Sequence, residues 1–395
     1  MYIKDLRLIS IGPLGPPGKR GVGRTLSNPL DEFGQGSKLT MQRGPVAVQL
    51  VEIELEDGTT GYGQVGLFDG AASYVINHHL RHFVVGESVF DTTRLWECMY
   101  RATQTYGRRG LVVAAISAID IALWDAKGKL LGQPIFNLIG GRMNQSIPVY
   151  ASRLYASEDI DAVVREAVRY KSEGFRAMKL RFAYGPADGN FGIDRNVALV
   201  SAIHDAVGPE VSLMADVYMS WDLAYCLRIL PRLSPYGIDW LEEPVGPDSL
   251  KAYAAVRRIA HENGILIAGG EHEYTRWGIA EMIDKEAIDI LQVDVNRCGG
   301  ISEALRIWSL AEVAGIRVIP HAGQSHNYHL VTSHTNSSMA EYFPPPKENP
   351  DRNEIFWSVW EGEPVAKDGC VTLSDRPGLG ITPNWGIINS HRVEV

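Results

Sequence analysis

Beyond Gly140-Gly141, eight short apolar runs recur, each closing on or beside a polar or ionisable residue: 147–151, 177–182, 211–217, 239–244, 265–271, 288–294, 317–321 and 340–343. Their starts are 23 to 34 residues apart, the length of one strand plus one return helix. Amphipathic stretches fill the intervals. A doubly wound open sheet alternates in the same way but carries a Gly-rich dinucleotide loop, and this segment has none. Eight units therefore predict closure into a (β/α)8 barrel of the TIM type over residues 141–350.

Residues 1–140 follow another pattern. Apolar and polar residues alternate on both sides of Asp57-Gly58, which predicts a hairpin with a two-residue primed turn. Helical spacing takes over at 91–104 and 111–131 and stops at Gly132-Gln133-Pro134. Strands followed by helices predict an N-terminal α+β domain, with the Gly-rich segments 12–23 and 66–71 as mobile loops. The Pro-rich residues 351–395 are expected to pack back on that domain.

Composition narrows the function. At 45% hydrophobic and 22% charged residues the chain can bury a sizeable core, and a net charge of −9 argues against nucleic acid or an anionic membrane as partner. Apolar stretches fall short of the roughly 18 residues of a membrane span; 111–124 is interrupted by Ser117 and Asp120. Cys98, Cys226, Cys298 and Cys370 form no CxxC pair, and the opening residues lack the layout of a signal peptide. A reduced, cytoplasmic protein is expected.

In a parallel barrel the C-terminal strand ends share one face, so residues that close successive strands meet in space. Here they are Lys179 and Arg181, Asp216, Glu242, Glu271, Asp294, His321 and Glu341. Any one of these carboxylates alone reads as a solvated strand end. Three in series, Asp216, Glu242 and Glu271, would repel one another unless a cation intervened, and all-oxygen ligation favours Mg2+ over zinc. Glu243 is expected to alternate to the other side of its strand as a structural partner. His326 and His329 read as structural or lid residues, Tyr218 and Trp221 as packing near the pocket, and Cys298 as a small buried residue.

The segments AISAIDIALWDAKGKLLGQPIFNLIGG (115–141), WLEEP (240–244), GGEHE (269–273), QVDVNRCGG (292–300) and PHAG (320–323) resemble the mandelate racemase subgroup of the enolase superfamily, and the resemblance spans nearly the whole chain. It implies a (β/α)7β barrel under a capping domain, one Mg2+ on Asp216, Glu242 and Glu271, an Asp294–His321 dyad, and Glu341 on the eighth strand. Within the subgroup, MADVYMSWD (214–222), GEHEYT (270–275), TNSSMAEYF (335–343) and 363–380 are most similar to the L-rhamnonate dehydratases, and His272 belongs to that likeness. Those enzymes carry histidine and arginine in the N-terminal lid, whereas no His precedes His78 here; Arg24, Lys38 or Arg43 could supply the cation. Relatives suggest a homo-oligomer.

The expected chemistry is loss of water from an acid sugar. Lys179 and a protonated Glu341 would help the metal stabilise an enediolate, and His321, oriented by Asp294, would be the base. Arg181 stands where the subgroup's racemases carry a second catalytic lysine, and a guanidinium is a poor base. One competent base favours loss of the C3 hydroxyl, giving a 2-keto-3-deoxy acid from L-rhamnonate or a related aldonate. An acid-sugar epimerase or racemase on the same site, and a non-catalytic metal-binding scaffold, are the alternatives.

Overall fold

The hairpin around Asp57-Gly58 supplies two strands of an antiparallel sheet ordered β1 (Ile3–Ile11), β2 (Val48–Leu55), β3 (Thr60–Val65). The structure, a computed structural model, describes residues 1–14, 23–39, 45–65, 70–345 and 355–394. The turn differs from expectation. Leu55 N–H reaches Thr59 O, so three residues form the loop, and only Gly58 has positive φ, at 85°. A primed turn requires a second left-handed residue; Asp57 instead accepts from the Thr59 amide. The two Gly-rich loop segments fall largely outside the described residues, as does Arg43.

Two helices follow, α1 (Thr92–Thr103) and α2 (Leu111–Leu130). Almost every residue of α2 is buried, and its two sides serve different neighbours. Ala118, Ala122 and Ala126 face Gly61 and Gly63 of β3, where a Cβ would lie 2.3 Å from Ala122 O and 2.0 Å from Ala118 O. Glycine there lets the helix backbone rest directly on the sheet. On the other side, the polar residues that interrupt the apolar run point at the barrel: Ser117 Oγ accepts from Gly299 N at 2.8 Å, Asp120 Oδ2 from Ser302 N at 2.8 Å, and Trp124 Nε1 donates to Ser302 Oγ at 2.9 Å.

Eight barrel strands fall on the eight runs: β4 (Ile147–Leu154), β5 (Ala177–Arg181), β6 (Ser212–Asp216), β7 (Ile238–Glu242), β8 (Leu266–Gly269), β9 (Ile290–Leu291), β10 (Arg317–Val318) and β11 (Ala340–Tyr342). Parallel ladders connect β4 to β10 in order and return β11 to β4. Seven return helices separate them, α3 (Ile160–Ser172), α4 (Gly189–Val207), α5 (Leu223–Leu233), α6 (Leu250–Glu262), α7 (Thr275–Asp284), α8 (Gly300–Val313) and α9 (Ser325–Ser333), giving (β/α)7β. Asp159 and Asp222 cap α3 and α5 through their carboxylates.

The C-terminal segment touches both parts. Cys370–Val371 pairs antiparallel with the start of β4, Gly378 bridges to Pro134, and Arg392 bridges to Ile11. Glu363 accepts from the backbone N–H and hydroxyl of Ser325, at the first turn of α9. All four cysteines are free thiols. Among the described residues, no helix is long and apolar enough to cross a membrane.

Candidate active site

Parallel register sets the first half of the site. Arg181 stands opposite Asp216, and Asp216 opposite Glu242, so β5, β6 and β7 end at one level. Lys179, two residues before Arg181, points to the same interior side. Its ammonium is fully buried and lies 2.7 Å from both Glu242 oxygens, 2.9 Å from Glu341 Oε1 and 3.9 Å from Asp216 Oδ2. Burial alone would lower its pKa, but Glu242 and Glu341 push it well above the ordinary lysine value. Lys179 is therefore a fixed cation.

Arg181 donates to Ser152 O and Ser152 Oγ, each at 3.1 Å, lies 3.4 Å from Asp216 Oδ2 and packs over Tyr155. It remains charged, as the sequence predicts. Glu341 differs from expectation. Against the cost of burial, Lys179 pulls its pKa down, and the Ala322 amide donates to Oε2 at 2.7 Å, both of which favour the carboxylate.

The second half centres on Glu271, beyond the end of β8. His321 directs Nε2 to Glu271 Oε1 at 3.3 Å, while Asp294 Oδ2 holds His321 Nδ1 at 3.0 Å. Burial disfavours the imidazolium, yet Glu271 and then Asp294 outweigh it and raise the His321 pKa to about 9. His272 repeats the pattern: Nδ1 is 2.7 Å from Glu243 Oε2, and Nε2 is 3.8 Å from Glu271 Oε1. Glu243 was expected on the far side of its strand. Its φ of +44° breaks the alternation just past β7 and turns the carboxylate towards His272.

Two side chains beyond those that close the strands complete the site. Arg297 places Nη1 2.9 Å from Glu271 Oε1 and Nε 3.1 Å from Asp294 Oδ2. Gln292 donates to Glu242 Oε2 at 2.8 Å. The only signal for Arg297 was its position three residues after Asp294, which places it in the tight turn that opens α8.

Six buried carboxylates, Asp216, Glu242, Glu243, Glu271, Asp294 and Glu341, face three permanent cations, Lys179, Arg181 and Arg297. Burial, opposed by Lys179, raises the pKa of both Asp216 and Glu242. Excess negative charge and oxygen donors suit a hard divalent cation. Glu243, Glu271 and His272 have ligand atoms within 4.8 Å of one another. Glu243 and His272 satisfy each other, however, so this triplet is weaker as an ion cage than its compactness suggests. Asp216 and Glu242 instead share Lys179.

The remaining expected residues separate. Lys38 is exposed at the end of a single turn, Gly36–Lys38. Arg24 is engaged by Asp31 and Asp188, both at 2.7 Å, and is thus committed within the protein. His329 accepts from Phe136 N and contacts Leu379 O, and His326 contacts Asn296 Nδ2; burial lowers both imidazoles to about 4, which fits structural roles. Trp221 is buried against Phe182 and donates to Tyr184 O; Tyr218 packs edge-on against His272. Cys298 is fully buried.

Similarity to known proteins agrees with this geometry. Residues 34–140 match the family model described as mandelate racemase / muconate lactonizing enzyme, N-terminal domain, and residues 162–387 match the enolase C-terminal domain-like model. The L-rhamnonate dehydratase of Saccharopolyspora erythraea is 35% identical over 85% of this chain and 83% of its own. The crystal structure of L-rhamnonate dehydratase from Gibberella zeae superposes with a TM-score of 0.86 at 30% identity, covering 99% of this chain and 96% of the other; the Mg complex of that enzyme gives the same values. A 3,6-anhydro-D-galactonate cycloisomerase from Zobellia galactanivorans follows at 27% identity and TM-score 0.83, each chain covered in full. The chain belongs to the mandelate racemase / muconate lactonizing enzyme family of the enolase superfamily.

Proposed function

We propose that the chain is a Mg2+-dependent hydro-lyase that dehydrates a sugar acid, with L-rhamnonate or a related aldonate as substrate. The observation that carries this reading is the placement of titratable groups on two sides of one site. Both imidazoles, His321 and His272, approach Glu271 Oε1, whereas the other side presents Lys179 and Arg181, two fixed cations. Epimerisation at C2 needs a base on each face of the carbon. Among the described residues, the imidazoles stand on one side only, which favours dehydration.

Asp216, Glu242 and Glu271 would hold Mg2+, which would neutralise the substrate carboxylate as a second negative charge builds on it. His321 would take the C2 proton on Nε2 in its neutral form, which Mg2+ on Glu271 would favour by neutralising the charge that holds the ring protonated, while Asp294 holds the ring by Nδ1. The C2–H electron pair passes into the carboxylate as an enediolate, which Lys179 stabilises from the opposite wall. Collapse of the enediolate breaks the C3–O bond, and the His321 imidazolium returns its proton to the departing hydroxyl as water. The enol left behind tautomerises to the 2-keto-3-deoxy acid. Glu341 acts as an anion that fixes Lys179.

The test is incubation of the protein with Mg2+ and a panel of C5 and C6 aldonates and aldarates, scored for 2-keto acid in deuterated water. Formation of 2-keto acid from L-rhamnonate or a stereochemical relative is the expected result. Exchange at C2 without 2-keto acid would replace dehydration by epimerisation.

A further inference from the structure

Residues 23–39 lie across the strand ends that carry half of the site. Ser27, fully buried, donates its backbone N–H to Phe182 O, just past Arg181, at 2.6 Å, and its hydroxyl to Ser220 Oγ, four residues past Asp216, at 2.6 Å. Little else in this segment is apolar and buried, so its position depends on polar contacts. Arg24 adds charged ones. One guanidinium nitrogen lies 2.7 Å from Asp31 of the same segment and the other 2.7 Å from Asp188, in the loop that joins β5 to α4, and the group sits over Tyr184.

Both carboxylates are held in place independently of Arg24. Asp31 Oδ2 accepts from Asn28 N at 2.9 Å, and Asp188 Oδ2 accepts from Gly185 N at 2.9 Å. Arg24 thus bridges two acids already oriented by their own backbones, which lowers the entropy cost of forming the bridge. We infer that Arg24 is a positioning residue whose bridge to Asp188 pins the 23–39 segment over the strand ends and so sets substrate affinity. This rests on the dehydratase reading for its kinetic part and on geometry alone for its structural part.

Arg24→Gln, Asp188→Asn and the double variant separate the two. Amide hydrogen exchange across 23–39 is measured on the whole protein with Mg2+, alongside KM and kcat for the sugar acid that is turned over. Exchange is expected to quicken about tenfold in each single variant and no further in the double, with KM up about tenfold and kcat held within about twofold. Arg24→Lys, which keeps the charge, should recover part of both and serves if the Gln variant folds poorly. Unchanged exchange, additive effects in the double variant, or a fall in kcat at constant KM would overturn the assignment. Were no sugar acid turned over, the functional reading would fail and exchange alone would judge the bridge.

Discussion

His272 and His321 aim Nε2 at the same oxygen of Glu271, from 3.8 and 3.3 Å, and each is backed at Nδ1 by its own carboxylate. The two pairs differ in what surrounds them. His321 is also attracted by Glu341 and is coupled through Asp294 to Arg297, whereas His272 stands at the edge of the site beside Tyr218.

Replacing each imidazole should reveal that difference. His321→Asn is expected to lose both C2 proton exchange and 2-keto acid formation by about a thousandfold, within the range of a removed general base. His272→Asn should lower exchange and product in parallel, by about tenfold. Proton NMR in deuterated water follows both quantities at once. Selective loss of product with exchange intact would transfer the acid role to His272.

Chelation offers a readout independent of turnover. Among the described residues the site gathers six buried carboxylates around three permanent cations, so Mg2+ should bind the folded state preferentially and raise the unfolding midpoint by several degrees at a hundredfold excess over Kd. Asp216→Asn should shrink that shift. Differential scanning fluorimetry with EDTA and with added Mg2+ measures it, and an equal midpoint in both would contradict an ion at this cluster.

Glu363 makes stability depend on pH. Burial raises its pKa to about 7, despite hydrogen bonds from Ser325. A carboxyl whose folded pKa is raised contributes stability that is fully present below the unfolded value, near 4.3, and lost as pH rises through 7. Glu363→Gln removes that dependence. Relative to the unmodified protein, its midpoint should therefore rise by about 2 °C or more between pH 5 and pH 8, read from thermal melts at each pH.

Gly63→Ala tests the seating of α2 on the sheet. The new methyl group would lie 2.0 Å from Ala118 O, a backbone atom of a helix that is held on its other side by Ser117, Asp120 and Trp124. Neither partner can yield cheaply. A loss of about 1–3 kcal/mol or more is expected in denaturant melts.

The barrel was readable in the sequence because each strand buries its apolar run and each strand end carries its polar residue at a fixed interval. All eight runs coincide with strands, and Asp216 and Glu242 occupy adjacent register positions. What escaped depends on single dihedral angles or on partners far along the chain. Period-two reasoning put Glu243 on the wrong side because it assumes extended φ, and at +44° that assumption ends. For Glu341 the neighbour that favours the carboxylate over the expected protonated form is Lys179, 162 residues earlier. The hairpin turn was missed by one residue, since Asp-Gly suits both the two- and the three-residue loop.

Helix α2 belongs to two cores at once: Ile121 and Trp124 pack with the barrel, while Val113, Ile116, Ala118 and Ala122 pack with the N-terminal sheet. A shared helix leaves no seam along which cap and barrel can part, because either side would carry away half of the other's interior. Relative motion of cap and barrel would have to break both packings. Opening only short surface segments would cost a few hydrogen bonds, whereas parting cap from barrel would cost the hydrophobic area that α2 shares between them.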